Sequence, residues 1–163
     1  MEYIIFADIH ANLAALEAVL DHERSWDQVI FLGDAIVAGP HPDEVLSILS
    51  GLNGVFIMGN HDREVFKIDH AADGGGHRSW VQWTREHISD KNLQFMKEHF
   101  SASCVIQRDG LILRLHHGDF RFKSGSRLWP DSSKEDFETV TNEYKEEHLF
   151  HAHSHIQLSL IHI

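Results

Sequence analysis

The chain has 163 residues, 42% apolar and 24% charged, which is the composition of a globular domain large enough to bury its own core. Its 14 Lys and Arg against 25 Asp and Glu give a formal net charge of -11, so a basic surface for non-specific nucleic-acid binding is not expected. The absence of an apolar run of ~20 residues, of a basic signal segment at the start and of any partner for the single Cys104 points to a cytoplasmic protein with no membrane association. An anionic substrate would need positive charge from another source, and a bound divalent metal supplies it. The 15 histidines are the anomaly of the composition.

Residues 2–7 read as a buried central strand, too continuously apolar for a one-sided one. A helix follows from Asn12, a good N-cap, to about His22, with Leu13, Leu16 and Leu20 at helical spacing. Residues 28–32 form a second strand ending at Gly33 and Asp34. Pro42 opens the next helix, Asp43 and Glu44 suit its dipole, Val45, Leu46 and Leu49 face inward, and Gly51 stops it. Residues 55–58 are a third strand, ending at Gly59, Asn60, His61 and Asp62.

Gly74, Gly75 and Gly76 form a break. Trp80, Val81, Trp83, Ile88, Leu93, Met96 and Phe100 then suggest two packed helices with an aromatic stripe covering the sheet. Residues 104–107 and 111–115 flank Asp109 and Gly110, a strong hairpin signal. A polar loop with Arg121, Lys123, Arg127 and Trp129 leads to a helix over residues 134–146, then a short strand into a histidine cluster and a last strand over residues 156–163. The alternation predicts parallel strands joined by crossover helices. No repeat or linker interrupts a single domain over residues 1–163.

Each polar motif follows the carboxyl end of a strand, where open α/β sheets hold ligands. The residues are Asp8 and His10; Asp34; Asn60, His61 and Asp62; His117; His153 and His155. Carboxylate, amide and imidazole together suit intermediate divalent ions. There are more of them than one tetrahedral ion uses, and Asp34 could bridge two. Spacing alone leaves His116 against His117, and His151 against His153 and His155, undecided.

Asp8-x-His10, Gly33-Asp34, Gly59-Asn60-His61-Asp62, His117-Gly118 and Ala152-His153-Ser154-His155 together resemble the five motifs of the calcineurin-like metallophosphoesterases. The stretch from Gly33 to Leu46, and Trp83-Thr84-Arg85 followed by Asn92-Leu93, resemble the small bacterial and archaeal phosphodiesterase branch. The resemblance implies a four-layer αββα sandwich of two mixed sheets flanked by helices. It implies one ion on Asp8, His10, Asp34 and His155, and another on Asp34, Asn60, His117 and His153. The ions would be Mn²⁺, Fe²⁺, Zn²⁺, Co²⁺ or Ni²⁺, with Mn²⁺ favoured for activity. His61 would protonate the leaving group and Asp62 would fix its tautomer, with metal-held hydroxide attacking phosphorus. Arg63 and Arg121 are the candidates for contacting the substrate, a small phosphorylated molecule such as a nucleotide. The scarcity of basic residues at the motifs favours a monoanionic diester. A phosphomonoesterase, a dinucleotide polyphosphate hydrolase and an inert protein-binding scaffold are the alternatives. Ala11 and Ala152 stand where the family often has Gly, so a positive φ at Ala152 would be strained. The short stretch after the last motif implies that the second sheet lacks some family strands.

Overall fold

The computed structural model describes residues 2–23, 25–67, 76–108, 110–118, 129, 131–143 and 148–156, with nothing said of the side chains at 141 and 143. In chain order the elements are β1 (Tyr3–Phe6), α1 (Leu13–His22), β2 (Gln28–Phe31), α2 (Pro42–Ser50), β3 (Gly54–Ile57), α3 (Asn60–Glu64), α4 (Gly76–Glu86), α5 (Asp90–His99), β4 (Phe100–Ser101), β5 (Ser103–Arg108), β6 (Leu111–His116), α6 (Lys134–Glu143) and β7 (His148–Phe150). The Asn12 side chain caps α1 by accepting from the Ala15 N–H at 3.1 Å, and Pro42 opens α2 as its first residue.

Two sheets result. The first runs β1-β2-β3-β4 and is parallel throughout its described strands, because helical crossovers join β1 to β2 and β2 to β3. The second runs β5-β6-β7 and is mixed: the hairpin around Gly110 (φ +82°) pairs β5 antiparallel with β6, and β7 joins β6 in parallel.

Alternating residues explain why the strands of the first sheet read as unbroken apolar runs. Val29, Phe31 and Phe56 face the helices and pack in one core with Leu16, Val45, Leu46, Leu49 and Met96. Ile30, Leu32 and Ile57 face the second sheet and pack with Leu115. Each such side chain, fully buried, contributes ~1.5–3 kcal/mol. The architecture is therefore two sheets stacked through an apolar layer and flanked by helices. A polar staple ties α2 to α5: the Asp43 carboxylate accepts from the Ser89 N–H at 2.7 Å and from the buried Asn92 amide at 2.8 Å.

Three expectations change. The strand over residues 2–7, read as central, is an edge strand among the described residues: β1 pairs with β2 alone, and Ile5 is 38% exposed. Trp80 and Trp83 are 57% and 39% exposed, so they do not cover the sheet. Val81, Thr84 and Ile88, at the same helical spacing one position on, are the buried face, and Trp83 instead stacks on His87. Phe100 leaves the helix and begins β4, a two-residue strand paired with β3. Asp109, Gly74, Gly75, Arg121, Lys123, Arg127 and the expected strand beyond Ile156 lie outside the described residues. Among the described residues no helix is long and apolar enough to cross a membrane.

Candidate metal centre

Because β1, β2 and β3 are parallel, Asp8, His10, Asp34 and Asn60 all emerge at one edge of the first sheet, and His117 and His153 follow the ends of β6 and β7. The loops after β1 and β2 are laced together: the N–H groups of Asp8, His10 and Ala11 donate to the carbonyls of Gly33, Asp34 and Ala35 at 2.8–3.0 Å. Close packing requires small residues. Gly33, at φ +103°, would place a Cβ 2.7 Å from His117 Nδ1, and a Cβ on Gly59 would collide with the Asp34 carboxylate. Asp8, His10, Asp34, His153 and His155 all have φ between 49° and 72°, the left-handed region, which Asp and His tolerate better than most residues. Ala11 shares it at φ 55°, whereas Ala152 is not among the positive-φ residues and carries no such strain.

Two groups of side chains converge here. An inner group, Asp34, His117 and His153, is buried; an outer group comprises Asp8, His10 and the exposed His155. His117 Nδ1–H donates to the Leu32 carbonyl at 2.8 Å, which fixes the tautomer and turns Nε2 toward Asn60 Oδ1 at 3.1 Å and Asp34 Oδ2 at 3.2 Å. The same Asp34 oxygen lies 3.9 Å from His10 Nε2, so one carboxylate faces both groups. In the outer group, His10 Nε2 and His155 Nε2 are 3.1 Å apart and Asp8 Oδ1 is 3.5 Å from His155 Nε2. An open cleft of about 500 Å³, lined by residues including Phe6, Asp8, His151 and His155, adjoins the outer group.

These residues fit divalent ions. Among the described residues Asp8 Oδ1 and His10 Nδ1 are buried without a hydrogen bond, His10 Nε2 and His155 Nε2 face each other, His117 Nε2 faces the Asn60 amide oxygen, and the set combines imidazole, carboxylate and amide oxygen. The electrostatics reflect the crowding. Burial raises Asp8, with the Asp34 carboxylate adding to it, and burial lowers His10. Burial also opposes the charged forms of Asp34 and His117, but their mutual contact prevails, holding Asp34 below and His117 above their ordinary ranges. The neighbours His116 and His151 belong to neither group: His116 Nδ1 accepts the Gly118 N–H at 2.8 Å, and His151 Nδ1 lies against the Ala152 carbonyl at 3.4 Å.

The structure gives Asp62 a different role from the tautomer-fixing one expected of it. Its buried carboxylate accepts from the N–H groups of Asp34, Ala35, Gly59 and, at 3.3 Å, Ile36, and makes no hydrogen bond to His61 among the described residues. Adjacent residues on a helix point in different directions, so a neighbour in sequence is a poor partner for a ring. The group facing His61 Nδ1, at 3.4 Å, is Glu64, three residues on, and Glu64 in turn meets His77 Nε2 at 2.8 Å. Sequence reasoning missed Glu64 and His77; the spacing of three from His61 to Glu64 within a helix is the signal that would have found the first. Arg63 is half-buried and one of its nitrogens donates to the Met58 carbonyl at 3.1 Å, so at least part of its guanidinium braces its own loop. Trp129 stands beside the inner group, its ring 5.8 Å from that of His153 and 40% exposed.

A family model described as the calcineurin-like phosphoesterase superfamily domain matches residues 1–161. An uncharacterised protein of Methanocaldococcus jannaschii is 33% identical over 97 residues, which are 56% of this chain and 39% of that protein. The crystal structure of a metallophosphoesterase from Sphaerobacter thermophilus superposes with a TM-score of 0.71 at 25% identity, over 96% of this chain and 61% of that one. A hypothetical protein from Pyrococcus horikoshii shares the fold, with a TM-score of 0.70 at 17% identity over 91% of this chain and 67% of its own. The chain thus spans about two fifths of the archaeal relative and three fifths of the Sphaerobacter protein.

Proposed function

Since the chain belongs to the calcineurin-like phosphoesterase superfamily, we propose that it is a dinuclear metal-dependent phosphohydrolase acting on phosphodiesters. The observation that carries this reading is Asp34, whose single Oδ2 faces both ligand groups, His117 at 3.2 Å and His10 at 3.9 Å. Asp8, His10, His155 and Asp34 would hold one ion, and Asp34, Asn60, His117 and His153 the other. Bound there, two divalent ions supply Lewis-acid charge and bring the pKa of water toward ~7. Mn²⁺ is the preferred ion.

The chain's own residues do the rest. Water attacks phosphorus opposite the ester oxygen and gives up a proton to solvent, the P–O bond to that oxygen breaks, and the departing oxygen takes a proton from His61, which recovers one from solvent. That ring stands at the rim, 5.1 Å from the His10 ring and 28% exposed, where it can reach a bound ester. Asp62 holds the loops after β2 and β3 in register and takes no part in proton transfer. A diester is favoured over a monoester dianion because the one basic residue next to a motif, Arg63, is partly engaged with Met58. Trp129 offers a flat apolar face at the rim, which suits a nucleobase, so nucleoside esters are the first to screen.

The test is a comparison of leaving groups. His61→Asn keeps a polar side chain but cannot protonate an alkoxide, so it should lose ~10²–10⁴-fold on alkyl or nucleoside esters. Its loss on p-nitrophenyl esters, whose leaving group is already stable, should be much smaller, with ion content unchanged. Equal losses on both substrate classes would remove His61 from the leaving-group role.

A further inference from the structure

We infer that His61, Glu64 and His77 form a third cation site, of the transition-metal class, at the rim of the centre and separate from both ligand groups. His61 and Glu64 lie three apart on α3 and so share a face, and His77 comes from the first turn of α4. One nitrogen or oxygen of each lies within 4.8 Å of the others. Glu64 Oε2 is 3.4 Å from His61 Nδ1 and 2.8 Å from His77 Nε2, and the two rings meet edge to face at 5.3 Å.

Tetrahedral ligands at ~2.0–2.1 Å from an ion stand ~3.3–3.4 Å apart. The His61 to Glu64 distance already has that value, and the His77 contact needs to open by about half an ångström. His77 and Glu64 can make that shift, being 53% and 39% exposed. A second observation points the same way: His61 Nδ1 is a buried nitrogen without a hydrogen bond among the described residues, and it faces this cluster. Two imidazoles and one carboxylate with a position left open to solvent make a zinc-type donor set, and the two imidazoles favour Zn²⁺ over Mn²⁺.

The site has a functional consequence that rests on the proposed role of His61. An ion on Nδ1 keeps the ring from becoming an imidazolium and leaves Nε2–H a far weaker acid, so filling the third site suppresses turnover while leaving the first two ions in place. Excess zinc becomes an inhibitor through a residue, His77, that has no part in the reaction.

The experiment is equilibrium dialysis of the full chain against graded free Zn²⁺, with bound metal counted per chain and hydrolysis of an alkyl phosphodiester measured on the same samples. Wild type should take up one more ion than either His77→Ala or Glu64→Gln. Loss of a ligand should weaken the third site ~100-fold or more, since supporting residues alone cost ~10–100-fold. The wild-type rate should fall over the zinc range in which the extra ion binds, and His77→Ala should keep its rate there. Equal ion counts in all three proteins would overturn the site. Different counts with identical zinc inhibition would overturn its link to His61. The ion count does not depend on catalysis, so a chain without phosphohydrolase activity would defeat the proposed function and leave the site standing.

Discussion

Asp34, His117 and His153 are buried, whereas Asp8 and His10 are half-buried and His155 is 58% exposed. The inner residues are also better braced. The Leu32 carbonyl fixes the tautomer of His117, the His61 N–H donates to Asp34 Oδ1 at 2.9 Å, and Asp62 grips the Asp34 backbone. In the outer group the Asp8 carboxylate accepts the His153 N–H at 3.2 Å, but His10 Nδ1 has no hydrogen bond among the described residues. The inner group therefore meets its orientation cost when the chain folds, and the outer group meets it when an ion arrives. The two positions should differ in affinity and exchange even though they share a carboxylate.

The strongest way to break this comparison is at the shared residue. Asp34→Asn should empty both positions and lower activity ~10³-fold or more, since the ions supply several kcal/mol of transition-state stabilisation. One fully retained ion, counted by metal analysis, would mean the carboxylate does not join the groups. Next comes the brace. Asp62→Ala leaves four backbone N–H groups without their acceptor, and at ~1–3 kcal/mol for each buried unsatisfied group the loss of stability should reach at least ~3 kcal/mol. A denaturant midpoint measures it; unchanged stability with a reduced turnover number would restore the tautomer-fixing role for Asp62.

The difference between the groups is sharpened by histidine substitutions. His155→Ala should weaken the outer ion ~100-fold or more and spare the inner one, since supporting residues alone cost ~10–100-fold. His151→Ala should affect neither, and the reverse ranking in metal titrations would reassign the ligands. The smallest effect is a control remote from both groups, at Asp43. Burial pushes its carboxyl up, but the Ser89 N–H and the Asn92 amide outweigh burial and leave its pKa below the ordinary value. A depressed folded-state pKa gives stability that is present above the unfolded value of ~3.9 and lost as pH falls through the folded one. Asp43→Asn should thus cost ~1 kcal/mol at neutral pH, a difference that fades below pH ~4 in thermal melts with ion content unchanged. A change in ion content would show that the α2–α5 staple reaches the centre.

The first half of the fold was legible because its signals are local. Asn12 caps α1, Pro42 and Gly51 bound α2, and the apolar runs of β2 and β3 are buried on both faces. The aromatic stripe misled because side-chain size was weighed above phase: Trp80 and Trp83 are one position out of register with Val81, Thr84 and Ile88. The strand β4 escaped because two residues hold no period. At the centre, chemistry-bearing residues at strand ends could be named from their spacing, but their supports could not. Asp62 acts on backbone groups up to 28 residues away and His77 reaches Glu64 across 13 residues, so neither partnership leaves a trace in local sequence.

The left-handed backbone at Asp8, His10, Asp34, His153 and His155 narrows the alphabet of the centre before coordination chemistry does. Asp, Asn, His and Gly are the residues that occupy that conformation at least cost, and three of the four are also donors to intermediate metal ions. Backbone strain and ligand choice thus select overlapping residue types, independently. The substitution route out of metal binding that preserves the loops runs through Gly, whereas Val, Ile or Thr at the same places would strain the loops as well as remove a donor. A library confined to Asp, Asn, His and Gly at these five positions would therefore vary ion choice and affinity at nearly constant fold.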